Sequence, residues 1–328
     1  MNEDGTSKLQ EVDMKVQMKA CFTNRYWLLA MGFALVYNIF NILQTNIMPY
    51  YANWVLSDSV AGGTNLQVLI NAIGQAPLGF GIFLLWPLVH KFGKRKVMIV
   101  GFLIAALGCL GIMLNSRPES FGIVLGLLLV RSLGAIPTYA MAAQLAESLD
   151  HIEYANRFRA DGFSASVYAI IITVTAGIGQ SIILGGVNLF GYIQPEGGVD
   201  QVIQQPTAVK MFFIACFVGV PMVGYLLGAL LQAFFDVEDK MPAIQAEIVQ
   251  RHKAEAEARG EVYISPEEKA AMEQAEQEKK SEEKRIEELK AKCAKKGLNF
   301  VEEEAKYQDK LAAQKAKAEA KAAKKNKK

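Results

Sequence analysis

The stretch VMIVGFLIAALGCLGIMLN, residues 97–115, holds nineteen residues and not one charge. As a helix it is roughly 28 Å long, close to the ~30 Å hydrocarbon thickness of a bilayer. A helix of a soluble bundle of that length carries a polar face every three or four residues, and this one carries none. Five further runs share its character: residues 28–48, 66–89, 122–146, 163–190 and 211–233. The pattern predicts an all-α polytopic membrane protein with six transmembrane helices. The polar segment 1–24 reads as a lead-in rather than a cleavable signal peptide.

Charge divides the chain outward from that block. Lys and Arg number 35 and Asp and Glu 33, for a net charge of +2. From Asp236 onward lie 21 acidic and 22 basic residues, leaving only 25 charges in the first 235 positions. Three parts are expected: a cytoplasmic lead-in over 1–25, a six-helix domain over 26–235 and a charged cytoplasmic tail over 236–328. Basic residues in the short connections set orientation. Lys8, Lys15, Lys19 and Arg25 precede the first span, Lys91, Lys94, Arg95 and Lys96 follow the second, and Arg157 and Arg159 follow the fourth. The opposite connections carry only Arg117 and Lys210. Both termini are therefore expected in the cytoplasm of a multi-pass protein of the cell membrane. Cys21, Cys109, Cys216 and Cys293 are far apart and read as free thiols.

Polar residues within the spans fall in stripes. Asn38, Asn41 and Thr45 share one face of the first span, with Gln44 beside it. Asn71 and Gln75 lie one turn apart in the second, and Ser166, Thr173 and Gln180 mark the fifth near Gly177. Arg131 lies near mid-depth in the fourth, with Thr138 seven residues on. A guanidinium at that depth costs about 2.5–3.5 kcal/mol on insertion scales unless it meets water or a partner. Snorkelling or hydrogen bonding between helices explains single residues. Together the stripes suggest a hydrophilic cavity for a polyhydroxylated or anionic solute. Gly74, Pro77, Gly79 and Gly81 are expected to interrupt the second span. Gly134 and Pro137 are expected to do so in the fourth, and Gly219, Pro221 and Gly224 in the sixth.

Between the fourth and fifth spans stands AESLDHIEYANRFRADGFSASVY, residues 146–168. Glu147, Asp150 and His151 have a spacing open to a metal, but solvated charges explain the cluster, and no metal site is expected. His90, His151 and His252 are scattered and no nucleophile–base set converges, so enzymatic chemistry is not expected. In the tail, pairs such as Glu255–Arg259, Glu276–Lys280, Glu288–Lys292 and Glu302–Lys306 favour helix. Gly260, Pro266 and Gly297 divide it into about three pieces. Its end, KAKAEAKAAKKNKK (315–328), reads as a solvated appendage or a contact for anionic headgroups, without the aromatic residues of a nucleic-acid binder.

The 146–168 segment resembles the connection between the tenth and eleventh helices of the glycoside–pentoside–hexuronide:cation symporters, the melibiose-permease-like branch of the major facilitator superfamily. Asp150, Glu153, Tyr154, Arg159, Asp161, Gly162 and Ser166 match the family pattern. Glu147 is a conservative match, while His151 and Ala155 replace the usual Tyr and Lys. CFTNRYWLLAMGFALVYNIFNILQTNIMPYYANWVL resembles the seventh helix with its lead-in, and LVHKFGKRK the loop after the eighth. The resemblance runs from about Lys19 to Asp239 and covers the second half of a twelve-helix fold.

It implies a secondary transporter subunit or fragment that moves a sugar or glycoside with Na⁺ or H⁺ as coupling ion, with no tightly bound cofactor. It implies a partner too, an N-terminal six-helix half in the same chain, a separate chain or a second copy. The acidic cation ligands of the family lie mostly in that first half. A lysine found in the eleventh helix of some members falls here at Thr173. The implied substrate pathway comprises Asn38, Asn41, Gln44, Thr45, Arg131, Tyr168 and Thr173. The implied cytoplasmic gate comprises Lys94, Arg95, Glu147, Asp150, Glu153 and Arg159, with Arg157 beside them. The alternative is a non-transporting membrane protein whose charged tail recruits partners.

Overall fold

The computed structural model describes residues 12–296, 299–300 and 304–305, and all regular structure among them is helical. Lys8, Gly297, the Glu302–Lys306 pair and the lysine-rich end lie outside the described residues. A short helix α1 (Met14–Thr23) leads into α2 (Arg25–Trp54), α3 (Val60–Phe92), α4 (Lys94–Leu114), α5 (Phe121–Ala135) and α6 (Met141–Asn156). Then come α7 (Asp161–Leu189), α8 (Thr207–Ile214), α9 (Val220–Ala233), α10 (Met241–Ala258) and α11 (Pro266–Lys296). Six spans are long and apolar enough to cross a membrane, with α5–α6 and α8–α9 each making one broken span.

The breaks have local causes. A 3₁₀ turn over Ile136–Ala140 separates α5 from α6, with Pro137 near its start. The sixth span loosens into a π turn over Ala215–Gly219, where the Val220 N–H reaches back five residues to the Ala215 carbonyl. Pro221 follows at once, and its ring and missing N–H forbid the ordinary bond to the Phe217 carbonyl. The second span differs from expectation. α3 runs unbroken through Gly74, Pro77, Gly79 and Gly81. Pro77 is buried and Gly81 fits under the Ile136 side chain, so packing supports the continuous helix across its missing hydrogen bond.

Helix α2 packs along α3, α7 and α9, while α4 lies between α5 and α9. Phe33, Phe40, Tyr51, Trp54, Phe102, Phe213 and Phe217 fill the centre. Gly101, Gly108 and Gly134 bring the backbones of α4 and α5 together, and a Cβ on Gly108 would stand 2.8–2.9 Å from the Arg131 N, Cα and Cβ. Large apolar side chains such as Phe80, Phe83, Trp86, Leu107 and Leu189 stay exposed on the outside, as lipid-facing residues do.

The described chain forms two compact units, Met1–Arg251 and His252–Lys328. The first extends past the expected boundary at residue 235. Val237, Met241, Ile244 and Ile248 pack against Tyr26, Ala30 and Phe235. Their i, i+3/i+4 spacing makes one apolar stripe inside a segment whose charge count reads as solvent-facing. In the second unit Gly260 turns with φ +71° and α11 starts at Pro266, matching two of the three expected divisions. Ser265 and Glu268 cap that start reciprocally: the Glu268 N–H donates to Ser265 Oγ at 3.2 Å, and the Ser265 N–H to Glu268 Oε2 at 2.9 Å.

Candidate functional site

A cavity of about 310 Å³ opens between α2, α3 and α5. Asn41, Gln44 and Thr45 line it from α2, Asn71 and Gln75 from α3, Arg131 and Ser132 from α5, and Thr138 and Tyr139 from the 3₁₀ turn. Apolar walls come from Tyr37, Met48, Ile70, Phe217 and Tyr225. Amides and hydroxyls beside aromatic faces are the surface a small polyhydroxylated ligand fits.

Arg131 is the charge in this lining. With its amide oriented so that the oxygen faces the guanidinium, Gln44 accepts from both terminal nitrogens, and the guanidinium carbon lies 5.7 Å from the Phe217 ring centre. Phe217 is itself stacked on Tyr51 with centroids 4.2 Å apart, and the Tyr51 hydroxyl meets Ser116 Oγ at 2.8 Å. An amide and a ring therefore satisfy the guanidinium in part, without neutralising it. Ser132 Oγ and Thr138 Oγ1 are buried and have no hydrogen-bond partner among the described residues. Each such hydroxyl carries a desolvation cost of about 1–3 kcal/mol that a ligand's hydroxyls relieve.

Four of the seven pathway residues named from the sequence, Asn41, Gln44, Thr45 and Arg131, meet in this cavity. Three do not. The Asn38 amide folds back to the Ala34 carbonyl at 2.8 Å, and the Thr173 hydroxyl to the Ala169 carbonyl at 3.0 Å. Tyr168 lines a separate apolar pocket of about 140 Å³ with Ala30, Met31, Ala34, Met141, Ala142 and Leu145. Among residues the sequence stripes did not single out, Ser132 is Arg131's chain neighbour, while Phe217 and Tyr225 read as ordinary core aromatics.

At one end of the bundle the charged residues form a connected layer. Lys94 pairs with Glu147, joining the start of α4 to α6. Arg159 pairs with Asp150, with Asp161 at 2.9 Å and with Glu153 at 3.8 Å. Burial works against the Arg159 charge, but Asp161 and Asp150 outweigh it and hold the guanidinium above its ordinary pKa. Arg95 donates to the Ala233 carbonyl. Glu238 accepts from the Lys94 and Arg95 backbone N–H groups at 2.7 and 3.0 Å. Gln144 and Gln232 exchange amide hydrogen bonds of 2.5 and 2.9 Å behind this layer. Arg157 takes the left-handed conformation that ends α6 (φ 62°) and has no ion pair among the described residues. Glu147, Asp150 and His151 diverge, to Lys94, to Arg159 and to Asn24 respectively. Among the described residues no His, Cys, Asp and Glu group is arranged to hold a metal.

Residues 2–239 match the family described as MFS/sugar transport protein, and the chain belongs to that family. A curated relative, the isoprimeverose transporter of Lactiplantibacillus pentosus, is 23% identical over 251 residues, which cover 75% of this chain and 49% of the relative. The chain thus spans about half the length of the curated relative it matches.

Proposed function

We propose that this chain is one six-helix half of a cation-coupled sugar or glycoside symporter of the melibiose-permease-like kind, and that the α2–α3–α5 cavity is its share of the substrate pathway. The observation that carries this reading is the cavity's lining: a half-satisfied guanidinium, two buried hydroxyls without partners among the described residues, and amides on two facing helices. Sugar hydroxyls both donate and accept, and so fit Asn41, Gln75, Ser132 and Thr138 together. Such a lining beside lipid is unfavourable unless protein or water covers it, which supports pairing with an N-terminal half, from the same polypeptide, another chain or a second copy. Na⁺ or H⁺ is the coupling ion proposed from the family resemblance.

The charged end is the cytoplasmic one by its basic residues. There Lys94, Arg95, Glu147, Asp150, Glu153 and Arg159 act as the closing layer. They hold α4, α6 and the α7 start in one arrangement, and their loosening frees the inner mouth.

Uptake of radiolabelled glycosides into membrane vesicles carrying the protein tests the reading. With membrane abundance level, Arg131→Ala is expected to lower uptake at least tenfold, the loss of one charge-assisted hydrogen bond being worth about 1.5–3 kcal/mol, and Asn41→Ala about threefold to tenfold, a neutral bond being worth about 0.5–1.5 kcal/mol. Unchanged uptake in both variants removes the cavity from the pathway.

A further inference from the structure

Helix α1 presents three distinct faces. Ala20 and Cys21 are buried, at 6% and 0% exposure, against Trp27, Leu149, Ile152 and Ala160. Next round the helix from Cys21, Met14, Met18 and Phe22 stand 70%, 45% and 54% exposed. They follow one another at i, i+4 and i+8 and so share a stripe about 80° wide. Lys15 and Lys19 form the next stripe around, both exposed, and neither has an ion pair among the described residues. With 10 residues, α1 is about 15 Å long, too short to cross a bilayer.

Its height is fixed by what it rests on. Cys21 Sγ lies 3.9 Å from Ser164 Oγ, and the Trp27 indole N–H donates to that same hydroxyl at 2.7 Å. Trp27 opens α2, Ser164 opens α7, and Leu149 and Ile152 close α6, so α1 sits at the level where the spans end. Phe22 meets the Trp27 and Phe163 rings edge-on at 5.3 and 6.3 Å, an aromatic cluster of the kind that marks the headgroup level. Further along, α2 and α7 expose Leu28, Leu35 and Ile170, so the helices that carry α1 continue as apolar surface.

We propose that α1 is an interfacial helix that binds an anionic lipid surface, with Met14, Met18 and Phe22 entering the acyl boundary and Lys15 and Lys19 meeting the headgroups. An exposed apolar stripe edged by lysines that have no ion pair among the described residues, at the end of a bundle of membrane-spanning helices, complements negatively charged lipid on both counts. The inference needs only that the spans sit in a bilayer, and stands whether or not the cavity carries sugar.

The test uses the full chain, one copy per nanodisc, in phosphatidylcholine alone or with a third phosphatidylglycerol. Hydrogen peroxide oxidation of each methionine is followed by mass spectrometry. Met272, 61% exposed in the other unit, reports free exposure, and Met98, fully buried, reports that the bundle remains folded. Met14 and Met18 are expected to oxidise at least tenfold more slowly than Met272 in the anionic discs, and faster in phosphatidylcholine. In Lys15→Glu/Lys19→Glu, docking on the anionic surface is expected to weaken by about thirtyfold or more, the two lost lysines setting the scale. Oxidation of Met14 and Met18 at the Met272 rate in anionic discs overturns the proposal. So does protection that ignores both lipid charge and the lysine replacements, because the stripe is then covered by something other than an anionic surface.

Discussion

Gly108 decides how closely α4 and α5 approach, and through that where Arg131 stands. A methyl group there would lie 2.8 Å from the Arg131 backbone nitrogen and 2.9 Å from its Cα and Cβ. Backbone atoms have no rotamer through which to retreat. The two helices must part by about half an ångström to restore contact, and overpacking of this kind costs typically 1–3 kcal/mol. Gly111, one turn on, gives a graded comparison, because its added methyl would meet only the Leu127 side chain, at 2.8 and 3.1 Å. Gly126 is the blank, with nothing within 4 Å. The expected order of loss is therefore Gly108→Ala first, Gly111→Ala smaller, Gly126→Ala near zero. In detergent, a loss of about 2 kcal/mol lowers the apparent Tm of a unit this size by about 4–8 °C at fixed scan rate. Native tryptophan fluorescence follows the transition, since Trp27 and Trp54 are both buried. Equal Tm values for Gly108→Ala and Gly126→Ala would refute the backbone contact, and with it the account of how Arg131 is placed.

Phe217→Leu removes the ring beside the guanidinium and the stack on Tyr51, and is expected to weaken glycoside binding about tenfold, within the 0.5–2 kcal/mol of such contacts; Phe217→Tyr largely restores it in the same titration. For Lys94 and Glu147, whose side chains are 23% and 9% exposed, a double-mutant cycle with Lys94→Gln and Glu147→Gln is expected to show a coupling energy of about 1–2 kcal/mol in thermal unfolding. That lies above the median of exposed pairs because water reaches this one poorly, and a coupling near zero would mean that the two charges are screened. In the second unit, the Ser265 backbone N–H first, then its hydroxyl, hold the Glu268 carboxyl below its usual range. A depressed pKa means that the cap's contribution is complete above the ordinary carboxylate value and is lost as pH falls through the lowered one. The methyl NMR signal of Met272 at the start of α11 is expected to shift across that acidic window, and Glu268→Gln to abolish the shift.

The spans were legible because a bilayer imposes length and composition with little regard to context. The cavity was legible only in part, and α7 shows why. Its hydroxyl stripe drew Thr173 into the expected pathway. In the structure Ser166, Thr173, Thr175 and Ser181 each donate to the carbonyl four residues back, at Gly162, Ala169, Ile171 and Gly177. These hydroxyls satisfy themselves within the helix and need no cavity. Asn38 does the same on α2, although it shares a face with Asn41 and Thr45. A helical wheel assigns a residue to a face, but not the choice between folding back and reaching across. Arg131 and Gln44 escape the ambiguity because their side chains are long and a guanidinium has five donors to place.

Glu238 shows the other limit. The sequence GKRK opens a helix with glycine at the cap, so the first N–H groups of α4 have no local side-chain acceptor. That deficit can be read from the sequence; its remedy cannot. The acceptor comes from Glu238, 144 and 143 residues beyond Lys94 and Arg95, with one carboxylate oxygen on each N–H. A carboxylate at a helix N-terminus both caps the donors and meets the helix dipole, worth about 1 kcal/mol or more when partly buried. Beside it Asp236 takes Arg25 at 2.6 Å, and Lys240 reaches the Tyr26 hydroxyl at 3.0 Å. The acids and lysine that made residues 236–240 read as the start of a solvated tail are the groups that fasten it to α2 and α4. Charge density marked the end of the apolar spans correctly, but not the end of the folded unit, because a charge already matched by the bundle reads the same in sequence as one left to water.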